Sequence, residues 1–174
     1  MKVFKEEQRF TQTWLIIILI ISIGVPFLFG VYGIMQQIIY KNPLGQKPMS
    51  DAGLIIFTIS MFILTVLIFF IKLTTKIDEK GIHYQFYPFH LSVKTISWSE
   101  VSKAGVRTYL PISEFGGWGL RGGFFFNKGK GKAVNISGDI GIQLILKNGK
   151  KLLIGTQKES EAKSVLETYT SKIN

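Results

Sequence analysis

Apolar positions are gathered into two unbroken runs near the N-terminus. They are Trp14–Met35 (WLIIILIISIGVPFLFGVYGIM) and Leu54–Ile71 (LIIFTISMFILTVLIFFI), of 22 and 18 residues, and neither contains a charge. As helices rising about 1.5 Å per residue they reach roughly 33 and 27 Å, which matches the hydrocarbon core of a bilayer. Pro26 falls near the middle of the first run, and membrane helices accommodate such a proline as a kink. Trp14, Tyr32 and Tyr40 lie near the ends of that run, where interfacial aromatics belong. The connection, residues 36–53, is short and rich in Pro, Gly and Asn. The pattern therefore predicts two antiparallel transmembrane helices with both ends of the hairpin on one side. A cleaved signal sequence is the competing reading. It calls for an apolar region of about 7–15 residues and a small-residue cleavage site. The first run is longer, and no A-x-A-like site follows it.

Beyond Ile71 the period changes. Thr74–Ile77, Ile82–Tyr87, Val93–Trp98 and Val101–Tyr109 alternate and are rich in β-branched and aromatic residues, with Asp78-Glu-Lys-Gly81 as a turn and Pro88 and Pro111 as breaks. Phe124–Phe126 and Ala133–Ile136 are shorter candidates. The clearest hairpin is Ile142–Ile154, two apolar runs about Asn148-Gly149, the pair favoured in a type I′ turn because both central residues need φ > 0. Pairing about that turn puts Ile142, Leu144, Leu146 and Leu153 on one face and Ile145, Leu152 and Ile154 on the other. One face is core, and the other is left for a helix, lipid or partner to cover. Residues 158–173 predict an amphipathic helix: Thr156-Gln-Lys-Glu159 has capping-box spacing, and Ala162, Val165, Leu166, Tyr169 and Ile173 recur at helical spacing. The expected division is an N-terminal segment 1–13, helices 14–35 and 54–71 flanking the loop 36–53, and a β-rich domain 72–174.

Strands finished by one amphipathic helix resemble a pleckstrin-homology-like (PH-like) domain. Thr95-Ile-Ser-Trp98-Ser-Glu100-Val101 resembles the I-x-W-x-[DE]-[IV] strand of bacterial PH-like domains, and Ile142–Ile154 with its helix resembles their last hairpin and helix. Such domains often follow a pair of membrane helices. The resemblance covers residues 72–173 at the level of fold. It implies an α+β chain: a two-helix transmembrane hairpin followed by a PH-like antiparallel β-barrel or sandwich capped by a C-terminal α-helix, in an uncharacterised bacterial family. It implies architecture more than activity.

Charge adds direction. The chain of 174 residues carries a formal net charge of +10 and no cysteine, so there is no disulfide framework and no thiol nucleophile. Lys and Arg number three before the first run (Lys2, Lys5, Arg9), two in the connection (Lys41, Lys47) and three just after the second (Lys72, Lys76, Lys80). The bias puts both termini in the cytoplasm and the loop outside, and the resemblance implies the bacterial inner membrane. No ionisable residue lies in either run, which argues against a proton or ion path and for an anchor. Gly24, Gly30 and Gly33 suit close helix contact. Most of the positive charge lies from Lys72 onward. It suits an anionic surface, with lipid headgroups nearer to hand than nucleic acid, or serves solubility alone.

Candidate chemistry is sparse. Gly117-Trp-Gly119-Leu-Arg-Gly122 spells G-x-G-x-x-G, but a dinucleotide site needs that string between a strand and a helix. Asn135-Ile-Ser137 is a glycosylation sequon by letters. His83 and His90 are the only histidines, and with no Cys or carboxylate cluster beside them no metal site is expected. Residues 111–121 set large side chains among glycines, a contact surface more than a core, and Arg107, Tyr109, Glu114, Phe115, Trp118 and Arg121 form the expected interaction patch. The alternative is that Trp118 plugs one end of the barrel. Phe124, Phe125, Phe126, Lys128, Lys130 and Lys132 combine aromatic and basic groups, the composition of a membrane-interface contact, or else of an aromatic strand and a solvated tip. The expected function is a membrane-anchored PH-like interaction module, a scaffold or accessory subunit with a protein partner, and the alternative is a sensor of anionic headgroups. A small membrane enzyme or transporter component carries the least weight. No catalytic residue, cofactor or nucleic-acid partner is expected.

Overall fold

The computed structural model describes residues 2–10, 12–122 and 131–173. The chain divides into two compact units, Met1–Phe10 with Ile71–Asn174, and Thr11–Phe70.

The smaller unit holds two helices long and apolar enough to cross a membrane, Thr13–Ile39 and Asp51–Phe70. The first widens into π-helical turns at Ile20–Gly24 and Ile34–Ile39. The earlier of these immediately precedes Val25-Pro26. A proline lacks an N–H and its ring crowds the carbonyl four residues back, and a wider turn relieves that clash. The helices pack through small residues. A methyl group added to Gly30 would overlap the buried Thr58 hydroxyl, and one on Gly33 would lie 3.1 Å from Leu54 Cδ1. Gly24 meets only its own Ile20 at that position, so two of the three glycines serve the contact. Phe27 and Phe62 add a ring pair at 5.7 Å. Gln37 Nε2 donates to the Met49 carbonyl (2.8 Å) and to Asp51 Oδ1 (2.6 Å), tying the loop end of the pair. Inside the second helix the hydroxyls of Thr58, Ser60 and Thr65 donate to carbonyls one turn back, so they need no water.

The larger unit is a two-sheet α+β domain. Strands β1 (Phe4–Arg9), β2 (Lys72–Asp78), β3 (Gly81–Tyr87) and β4 (Lys94–Ser97) form an antiparallel sheet in that order. Strands β5 (Val101–Thr108), β6 (Gly119–Arg121), β7 (Lys132–Asn135), β8 (Ile140–Leu146) and β9 (Lys151–Gly155) form a second, in the order β5-β8-β9-β7-β6. Three expectations are corrected here. Among the described residues the sheets do not close into a barrel, and β7 runs parallel to β9, so the second sheet is mixed. Residues 4–9, expected as a flank of the first helix, are a strand: β1 pairs with β2 from Phe4↔Ile77 to Arg9↔Lys72. The whole helical unit is therefore an insertion between two paired strands. The β8–β9 turn also differs. Gly149 alone has positive φ (+78°), Leu146 N–H donates to the Lys150 carbonyl and Gly149 N–H to that of Leu146. A three-residue loop with one left-handed residue replaces the type I′ turn. The register shifts accordingly: Ile142 faces Ile154 and Leu144 faces Leu152. Those four join the main core, while Leu153 turns to the opposite face.

That core lies between the sheets, with Phe4, Leu73, Ile77, Ile82 and Phe86 on one side and the β8–β9 residues on the other. The C-terminal helix, Glu159–Tyr169, contributes Ala162, Val165, Leu166 and Tyr169. The Thr156 hydroxyl accepts the Lys158 N–H at 3.1 Å, not the Glu159 N–H that the capping-box spacing requires. It donates to the buried Glu6 carboxylate of β1 (2.7 Å), which also accepts the Gln157 N–H (2.9 Å). Gln8 Nε2 donates to the Gly155 carbonyl at 2.7 Å. Polar side chains on the inner row of β1 thus fasten one sheet to the end of the other. At the opposite edge, the Ile96–Val101 motif makes the corner between sheets. Ile96, Trp98 and Val101 are buried, Glu100 accepts the Ser97 N–H at 2.9 Å, and Trp98 donates from Nε1 to the Asp78 carbonyl and stacks on Tyr169.

Candidate functional site

The expected interaction patch assembles at one end of the second sheet. β5 delivers Arg107. Pro111 occupies the first turn of a short helix, Pro111–Phe115, and Gly116 ends it in the left-handed region at φ 73°. That turn brings Glu114 back over Arg107 in a bidentate pair, with Nη2–Oε2 2.8 Å and Nη1–Oε1 3.2 Å. Glu114 also accepts the Leu110 N–H at 2.8 Å, and Arg107 Nε donates to Gln143 at 3.2 Å. Arg121, exposed, donates from Nε to the Trp118 carbonyl at 2.9 Å. Trp118, half-buried, donates from Nε1 to the Gly138 carbonyl at 3.0 Å.

Two members lie inside. Tyr109 and Phe115 are buried edge to face, with ring centroids 5.9 Å apart, and with Ala133 and Leu153 they form a second small core. This is what covers the far face of the β8–β9 hairpin: the short helix, rather than lipid or a partner. The Tyr109 hydroxyl accepts from Asn135 Nδ2 at 2.7 Å, and burial pushes the phenol above its usual range, opposed by that hydrogen bond. Asn135 Oδ1 in turn accepts the Gly119 N–H at 2.9 Å. Asn135 is fully buried, so the folded chain does not present the sequon. Tyr109 and Phe115 therefore support the patch from beneath and do not face a partner. The sequence reading missed Leu110 and Ile112, which are 64% and 70% exposed on the outer side of the same turn. Their signal is two apolar residues flanking a helix-starting Pro111.

The glycines of 117–122 have positive φ at 117, 119 and 122. They join the short helix to β6, not a strand to a helix, so the dinucleotide arrangement is not formed. Of the basic aromatic residues, Phe124, Phe125, Phe126, Lys128 and Lys130 lie outside the described residues. Lys132 opens β7 and is exposed. It borders a cleft of about 490 Å³ with an apolar floor of Tyr84, Ile96, Leu146 and Leu152 and with Lys150 also at its rim.

His83 and His90 take separate roles. His83 bridges Thr95 (2.9 Å) and Asp78 (3.0 Å), and Lys76 pairs with Asp78 at 2.7 Å. The Lys76 hydrogen bond, followed by those of His83 and the Lys80 N–H, holds the Asp78 carboxyl well below the usual carboxylate range against partial desolvation. These are cross-strand neighbours on a sheet surface, since His83 faces both Lys76 and Thr95. His90 belongs to the β3–β4 loop. Among the described residues no three His, Cys, Asp or Glu side chains are grouped to hold a metal ion. Compared with protein-family models, with curated proteins and with solved structures, the chain finds no match.

Proposed function

We propose that the chain is a membrane-anchored PH-like interaction module, a scaffold or accessory subunit of a bacterial inner-membrane complex, with both termini cytoplasmic. Its anchor is the helical pair. The pairing of Arg9 with Lys72 supports an even number of crossings, because both ends of the insertion leave the same end of one sheet. The PH-like reading rests on a four-stranded sheet, the Ile96–Val101 corner and the closing helix.

The observation that carries an interaction role is the buttressed turn at 107–121. Exposed Leu110 and Ile112 stand on a short helix held by the Arg107–Glu114 pair and the Tyr109–Phe115 core. Rigidly displayed apolar groups rimmed by polar ones mark contact surfaces. A photo-crosslinking residue at Ile112 or Trp118, in the full chain in native membranes, is expected to give a discrete protein adduct. The same residue at Glu79, on the turn between β2 and β3, is the comparison. Equal or absent adducts at all three positions overturn the reading. A second reading, sensing of anionic headgroups, is favoured by the lysines around the cleft. The crosslinker at Lys132 separates the two, since headgroup sensing predicts phospholipid adducts there.

A further inference from the structure

The first sheet has a chemically distinctive end. Arg9, Lys72 and Tyr87 are cross-strand partners in one row. The chain leaves this domain at Phe10 and returns at Ile71, so exit and return both lie at that end. With strands about 4.8 Å apart, Tyr87 sits one strand spacing from Lys72 and two from Arg9. The loop that follows, Pro88-Phe-His-Leu-Ser-Val93, projects from the same end.

This loop exposes apolar groups that a water-facing turn has no use for. Leu91 is 90% exposed, Phe89 62% and Val93 56%, and Tyr87 beside them is also exposed. They occupy alternate positions, and the residue between Phe89 and Leu91 turns the other way. His90 N–H donates to the Phe86 carbonyl (2.8 Å), and its Nδ1 accepts the Phe86 N–H (3.2 Å). Gln85 Nε2 donates to the His90 carbonyl at 3.0 Å. The ring of His90 also meets Tyr84 edge-on, and Phe89 stacks on Phe86. The loop is thus pinned from beneath while its apolar groups point outward. Arg9 and Lys72, which share the Glu7 carboxylate at 3.0 Å each, leave one net positive charge at this end, and Lys94 lies nearby; basic side chains with aromatics are the composition of the headgroup layer.

We propose that the Pro88–Val93 loop is a third membrane contact, seating Phe89, Leu91 and Val93 in the lipid interface beside the points where the chain leaves and re-enters the domain. The proposal rests on the reading that the two apolar helices cross a bilayer. It commits to lipid as the occupant because chain continuity ties this end of the sheet to those helices through Phe10 and Ile71. Such a seat adds a lipid contact to the two points where the chain is already tethered.

The chain has no cysteine, so single spin labels report cleanly. Leu91→Cys, Glu79→Cys and Leu64→Cys, each in the full chain, are reconstituted in phosphatidylcholine–phosphatidylglycerol vesicles. Accessibility to oxygen and to a water-soluble nickel chelate is then compared. Leu64, within the second apolar helix, reports on the anchor. Glu79 lies at the opposite end of the sheet, beyond the Asp78–Gly81 pair. The expected result is an oxygen-to-nickel ratio several-fold higher at position 91 than at 79, approaching that at 64. A lipid-like ratio at 64 with equal, water-like ratios at 91 and 79 overturns the loop contact and leaves the anchor standing. A water-like ratio at 64 overturns both.

Discussion

His90 is the titratable residue that pins the Pro88–Val93 loop from beneath. Partial burial, with Lys94 adding to it, lowers its pKa below the ordinary value near 6.5. The neutral ring is the form that accepts the Phe86 N–H. Between the lowered folded value and the unfolded value the unfolded chain binds more protons, so stability is complete above about pH 6.5 and falls as pH drops through the folded value. Amide exchange at Phe86 is expected to quicken as pH is lowered from 7.5 to 5.5, beyond the intrinsic change. A His90→Gln variant should lose that extra dependence, and its persistence would rule out His90 as the source. Individual residues were unevenly legible in the sequence. Trp98 and Glu100 stood out because their spacing resembles an I-x-W-x-[DE]-[IV] strand. Tyr109 and Phe115 were misjudged as surface because a glycine-rich setting suggests a floppy loop. Pro111 and Gly116 instead start and stop a helix of one turn that folds both rings inward.

The elements follow the hydrophobic pattern wherever burial is one-sided, and β2 to β5 fall close to where alternation predicts them. β1 escapes because its inner row reads Phe4, Glu6, Gln8. Two of these are polar, so FKEEQR has no apolar alternation. They are buried because the Thr156 and Gln157 donors meet the Glu6 carboxylate and the Gly155 carbonyl accepts from Gln8 Nε2, a tertiary fact invisible locally. The β8–β9 register was off by one residue because Asn148-Gly149 is compatible with both a two-residue and a three-residue loop. In the helical pair the legible signal was glycine. Gly30→Val drives two methyl groups toward Thr58 and is expected to destabilise the pair by about 1–3 kcal/mol, the cost of overpacking a close contact. Unfolding of the full chain in mixed detergent micelles reads this, with Gly24→Val as the control that leaves the helix contact intact. Equal effects of the two substitutions would argue against Gly30 as the closest approach.

The arrangement of the whole molecule decides which fragments are viable. A fragment covering 72–174 lacks Phe4, Glu6 and Gln8. Loss of a buried Phe alone costs about 3–5 kcal/mol, against a typical domain stability of about 5–15 kcal/mol. Such a fragment is expected to aggregate or to melt without cooperativity. Joining Arg9 directly to Lys72 through Asn-Gly, in place of residues 10–71, restores the β1–β2 pair with a two-residue turn, and cooperative thermal unfolding of this soluble form is the expected outcome. Equal cooperativity in both fragments would demote β1 to an ornament. The pairing of Arg9 with Lys72 also bears on the order of events during synthesis. β1 leaves the ribosome first but waits more than sixty residues for its neighbour, a closure that free chain makes slowly because entropy opposes long loops. On the proposed topology the bilayer shortens that wait: once the helical pair has inserted and turned back, both strand ends are held on one side of the membrane. Insertion is then a folding step for the β-sheet domain, and a chain stalled halfway across the membrane holds an edge strand with nothing to pair.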